Sequence, residues 1–185
     1  AKAREDKTAA AASVSKCKFD DICKLEKAHK YEEAFAAYEE RMEECGDYGW
    51  EVVKDLGEGM SGGAKLQKTP CGLMHAAKQP PAGGNSIGSE TMLRDHIYQD
   101  CFVLKHLSQF VDKPDCDGCF PRYLYHSQKT GTCYNEFIDS TPLEKFIKAQ
   151  NLTTTEGVNN MKQLFLQAFD ALEIMKAENL VHRDL

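Results

Sequence analysis

No apolar run in this chain approaches the ~20 residues a membrane-spanning helix needs. No short apolar core of the secretory type stands near its start. A cationic excess is missing too. The 23 Lys and Arg against 29 Asp and Glu leave a net charge of −6, so no electrostatic footprint for nucleic acid is expected. Tryptophan is almost absent, with Trp50 alone. What remains is the composition of a water-soluble chain of about one domain plus an extension, read as intracellular, cytoplasmic or organellar. The start, Ala1-Lys2-Ala3-Arg4-Glu5-Asp6, is small and polar and begins with Ala rather than Met. Residues 1–18 read as a disordered or extended leader, with a processed N-terminus as the alternative.

Cysteine, by contrast, is plentiful at eight residues. Their spacing is irregular except for Cys116-Asp117-Gly118-Cys119. One C-x-x-C supplies half of a tetrahedral zinc site, and no second pair with suitable spacing follows. The pair lies in a turn-rich stretch beside Pro114 and reads as loop thiols. No metal site is assigned.

Residues 19–46 carry Phe19, Ile22, Tyr31, Ala34, Phe35, Tyr38 and Met42 at three- and four-residue steps. Glutamates crowd the remaining positions, and Gly46 is a suitable stop. This predicts one or two amphipathic helices. They either pack on their own domain or dock a protein partner.

Farther along stands Leu56-Gly57-Glu58-Gly59-Met60-Ser61-Gly62-Gly63-Ala64, a G-x-G-x-x-G pattern. Glycines at this spacing let backbone approach phosphate oxygens closely. A dinucleotide fingerprint would open a helix after the loop. Here a Thr69-Pro70-Cys71-Gly72 turn follows within a few residues, so the segment reads strand, turn, strand. Leu73 to Lys78 forms the next strand. Residues 89–107 place Met92, Leu93, Ile97, Cys101, Leu104 and Leu107 on one helical stripe. Met161, Leu164, Phe165, Ala168, Phe169, Leu172, Ile174 and Met175 make a broad apolar face on a later helix. Strands first and helices later give an α+β pattern.

These segments, together with the closing His182-Arg183-Asp184-Leu185, resemble the protein-kinase domain over about 130 residues. The resemblance implies a five-stranded antiparallel sheet with one helix, preceded by the helical extension and followed by the first helices of a second lobe. It divides the chain into residues 19–46, 47–139 and 140–185. It implies ATP between the lobes. Gly57, Gly59, Gly62 and Ala64 would lie over the phosphates, Ala76 against the adenine, and Glu136 and Ile138 in the hinge. Lys78 takes the place of the phosphate-orienting Lys, and Asp184 that of the base that accepts the substrate hydroxyl proton. The apolar register of the helix puts the Lys78 partner at Asp100, with Asp95 and Glu90 as fallbacks. His75 and Ala77 depart from the family pattern, as does Ala64, and the reading is that they trim the apolar cover of the nucleotide; Asn135 would take the position guarding the back pocket, where a polar amide must find a partner. No D-F-G or A-P-E is present. Mg²⁺ ligands would have to come from residues beyond 185, and the 185 residues alone are expected to be inactive. Two functions follow. One is an ATP-dependent kinase of protein Ser/Thr. The other is a pseudokinase-like subunit that scaffolds a larger complex, cytoplasmic or organellar. A protein substrate or scaffold partner would dock on the N-terminal helix or on the exposed face of the later helix.

Overall fold

A computed structural model describes residues 17–46, 50–59, 62–80, 90–112 and 119–181. The chain forms two units. The first takes in the described residues up to Cys101, with Leu124–Phe137. The second holds Phe102–Tyr123 and the described residues from Ile138 onward.

The first unit opens with helices α1 (Asp20–Lys27) and α2 (Tyr31–Glu44). His29 turns the chain between them at a φ of 58°, a left-handed value that His adopts more readily than most residues. Gly46, at a φ of 70°, follows the end of α2, as its position in the sequence predicts. Ala34, Phe35, Tyr38 and Met42 fall on one face of α2 and are buried. Ile22 of α1 packs with Ala34 and Tyr38.

The sheet runs β1 (Glu51–Gly59), β2 (Gly62–Lys68), β3 (Met74–Gln79), β4 (Tyr123–His126) and β5 (Cys133–Glu136). Its spatial order is β1-β2-β3-β5-β4, with antiparallel pairing. The architecture is therefore α+β around a five-stranded antiparallel sheet, the coarse form expected from the sequence. Alternation along β3 sorts its side chains by face. His75 and Ala77 join Phe35 of α2 and Tyr134 of β5 in an aromatic-rich core. Burying a side chain the size of Phe35 is worth about 1.5–3 kcal/mol, so α2 is integral to this unit. Three disulfides reinforce it: Cys17–Cys45, Cys23–Cys71 and Cys101–Cys133.

Helix α3 (Glu90–Leu107) begins one residue after the expected Ser89. Ile97 and Cys101 are buried in the stripe foreseen for them, while Phe102 is 64% exposed. In the second unit, the last turn of α3 and a short 3₁₀ turn at Ser108–Phe110 lead to a core of Leu107, Val111, Phe120 and Met175. Helix α4 (Leu143–Ala149) precedes α5 (Thr155–Ala177). Thr154 caps α5 by accepting a hydrogen bond from the Gly157 N–H at 3.1 Å. At its other end, His106 and Glu178 pair at 2.7 Å. Among the described residues no helix is long and apolar enough to cross a membrane.

Candidate functional site

The face of the sheet opposite the aromatic core carries the residues singled out for nucleotide chemistry. Lys78 pairs in register with Ala64 on β2 and with Cys133 on β5, and Ala76 pairs with Leu66 and Asn135. Ala64, Ala76 and Lys78 thus come together on one patch of adjacent strands. Lys78 Nζ donates to Asp100 Oδ2 of α3 at 2.5 Å. The side chains are about one-third and over one-half exposed. A charge-assisted bond in that setting contributes modestly to stability, but it fixes where the ammonium stands. Asp95 is exposed and makes no ion pair with Lys78. The side chain of Glu90 lies outside the described residues.

The bond between Cys101 and Cys133 lies beside this pair. Cys101 follows Asp100 directly, and Cys133 is the strand neighbour of Lys78. Their Cα atoms are 5.8 Å apart, within the span a disulfide accepts. Both cysteines are buried.

The glycine-rich segment is a hairpin. Gly59 faces Gly62 across its turn, and Gly57 pairs with Ala64. Met60 and Ser61 lie outside the described residues. Gly57 has a φ of 140° with open space around it. Gly62 is different. A Cβ there would sit 2.1 Å from the Gln79 carbonyl oxygen. Close passage of β2 over β3 therefore demands glycine at Gly62 without any appeal to phosphate.

Other predicted residues are more scattered. Glu136 is exposed at the end of β5 and pairs in register with His75. Ile138 is 48% exposed and falls at the first residue of the second unit's later segment. Asp184 and the rest of His182-Arg183-Asp184-Leu185 lie outside the described residues, as does Cys116. His75 and Ala77, expected to thin the cover over the nucleotide, lie on the opposite face of the strand. Their identities answer to Phe35, which comes close to both.

That opposite face holds a cavity of the first unit, about 390 Å³ in volume. Phe35, Glu39, Trp50, Lys65, Tyr125 and Tyr134 are among its lining residues. It is separate from the Lys78 patch, and sequence reasoning did not foresee it. Glu39 accepts hydrogen bonds from Tyr125 Oη at 3.1 Å and from the Ser127 hydroxyl, and Glu43 pairs with Lys129. Burial pushes the Tyr134 hydroxyl up, with a smaller contribution from Glu39. Burial also pulls His75 down to about 4.

Sequence reasoning also missed the three disulfides, because irregular cysteine spacing does not reveal pairing. Among the described residues no three His, Cys, Asp or Glu side chains converge as metal ligands. No protein-family model matches the chain, and no curated protein is significantly similar to it.

Proposed function

We propose that the first unit is a nucleotide-binding fold of the protein-kinase type, which holds ATP on the Ala64, Ala76 and Lys78 face of its sheet. The observation that carries this is the Lys78–Asp100 pair within a β1-β2-β3-β5-β4 sheet whose β1–β2 hairpin is rich in glycine. A lysine held by a helix carboxylate is pre-oriented to meet phosphate oxygens as a fixed positive charge. On this reading the small side chains of Ala64 and Ala76 would lie against the base, and backbone at Glu136 would supply a hinge hydrogen bond. ATP would supply the transferable phosphoryl group. Lys78 would orient it, and Asp184 would accept the proton of a protein Ser or Thr hydroxyl. The described residues offer no set of Mg²⁺ ligands, so no role for the metal is derived from them.

A second reading, a pseudokinase-like scaffold, keeps the same fold and drops the transfer step. The apolar face of α2 is already used inside the first unit. A protein partner would therefore meet the charged side of α2, or α5, where Phe165 and Phe169 are exposed.

Thermal melting of the chain with ATP, and with ATP plus Mg²⁺, tests the reading. ATP should raise the melting temperature of the wild type and leave Lys78→Met unmoved. An equal shift in both proteins, or none in either, sinks it. Phosphate incorporation into a generic protein substrate then separates kinase from scaffold.

A further inference from the structure

Six cysteines of the described residues are joined in three disulfides: Cys17–Cys45 closes the α1–α2 segment on itself, Cys23–Cys71 ties it to the turn between β2 and β3, and Cys101–Cys133 joins α3 to β5. Disulfides persist in the endoplasmic reticulum lumen and outside the cell, and are rare where glutathione and thioredoxin keep thiols reduced. The expectation of an intracellular protein, cytoplasmic or organellar, did not include this pairing, and the loop-thiol reading concerned only Cys116 and Cys119, which lie outside these three bonds.

A second, independent feature points to the same surroundings. Asn151-Leu152-Thr153 is the only N-x-S/T triplet in the chain, and its middle residue is not Pro. It occupies the exposed link between α4 and α5 in the second unit. Asn151 Oδ1 accepts hydrogen bonds from the Thr153 N–H at 3.1 Å and the Thr153 hydroxyl at 2.7 Å. The Asn151 Nδ2 makes no hydrogen bond among the described residues. Amide oxygen and Thr hydroxyl are thus engaged with each other, while the nitrogen that would be modified is uncommitted.

We infer that Asn151 is an N-glycosylation site on a chain that folds in a thiol-oxidising secretory compartment. The donor class is an oligosaccharide joined through its anomeric carbon to a lipid pyrophosphate. Asn151 Nδ2 forms a bond to that carbon as the carbon–oxygen bond to the pyrophosphate breaks. The lipid pyrophosphate leaves with the electron pair, and Nδ2 surrenders one proton to a base of the transferase. The product is a bulky, solubilising glycan on the surface of the second unit. It stands in sequence just before the exposed Val158, Phe165 and Phe169 of α5.

The test expresses the whole chain twice in eukaryotic cells, once behind a secretion signal and once in the cytosol. The secreted form should run as one glycosylated species that peptide-N-glycosidase collapses to the unmodified mobility. Asn151→Gln and Thr153→Ala should lose that step completely, and Thr153→Ser should keep it. Deglycosylation in heavy-oxygen water, followed by peptide mass mapping, should place a labelled aspartate at position 151. This last readout does not require the variants to fold. Non-reducing mapping of the same sample should return the three cysteine pairs. A secreted chain without a glycan at position 151 overturns the site. A cytosolic chain with reduced cysteines that melts at the same temperature as the secreted one overturns the compartment. Neither outcome bears on the ATP shift, so the inference and the kinase reading fail separately.

Discussion

His75 couples the stability of the first unit to pH. Its ring is fully buried, with centroids 5.1 Å from Phe35, 5.2 Å from Trp50 and 5.5 Å from Tyr134. Nε2 meets Gln67 Oε1 at 3.3 Å, which makes it the donor in a neutral ring, and Nδ1 has no partner among the described residues. No charged group contributes to the change, and burial holds the folded value down at about 4 against 6.5 for the free side chain. Above pH 6.5 the ring is neutral in both states and costs nothing. As pH falls below 6.5 the unfolded chain takes up a proton that the folded chain refuses, so stability drops until pH reaches about 4. Each tenfold loss of proton affinity on folding is worth about 1.4 kcal/mol, and the full loss is about 3 kcal/mol. That is a large part of the ~5–15 kcal/mol that usually holds a domain together. Urea melts from pH 7.5 down to 4.5 on wild type and His75→Leu read this directly. The variant leaves Gln67 without its partner, so its stability at neutral pH should fall. Its dependence on pH should nonetheless be flatter. His126, also pulled down mainly by burial, and the carboxylates titrate in both proteins and cancel in the difference. Parallel pH profiles for the two would refute the argument.

Four further outcomes are expected. Replacing Cys101 and Cys133 by Ala opens a loop with a sequence separation of 32 and should cost about 4 kcal/mol by chain entropy; an unchanged denaturation midpoint would contradict it. Gly62→Ala should destabilise the first unit by more than about 1 kcal/mol, because its φ of 129° and the Gln79 carbonyl both oppose a Cβ, whereas Gly57→Ala is opposed by its φ of 140° alone and should cost less; equal melting of the two variants would count against this. Phe35→Ala should cost about 3–5 kcal/mol in urea melts, and a loss under about 1 kcal/mol would mean that α2 is dispensable to the sheet. The 185-residue chain should bind an apolar dye through Val158, Phe165, Leu166 and Phe169, each at least 44% exposed, and Phe165→Ser with Phe169→Ser should weaken that signal; no dye binding by the parent would refute it.

The parts of the fold that were legible in the sequence are those written in local periodicity. The α2 face of Ala34, Phe35, Tyr38 and Met42, the Gly46 stop and the glycine hairpin each need only neighbours a few residues apart. The Asp100 partner was reached through the family register anchored on Phe102-Val103-Leu104 and Leu107; the pair with Lys78 forms although Phe102 itself faces solvent. What stayed hidden depends on distant contacts. The side of the sheet that His75 and Ala77 occupy is decided by Phe35, some forty positions earlier. Cysteine partners lie 28 to 48 positions apart, and no spacing rule connects them. The 390 Å³ cavity is assembled from α2 and several strands and turns, so no single segment announces it.

The Cys101–Cys133 bond gives the Lys78–Asp100 pair a mechanical character. A helix carboxylate that meets a strand lysine through an ion pair alone can slide away and return at the cost of one exposed interaction. Here the residue after the carboxylate is welded to the strand beside the lysine, so any outward travel of α3 at that point is limited to the slack of a few rotatable bonds. The position of the carboxylate is therefore held by the covalent frame beside it and not by the ion pair alone. Such a hinge has been riveted: on the nucleotide-binding reading proposed above, adjustment of this face would have to come from the glycine hairpin, because the helix no longer offers a stroke.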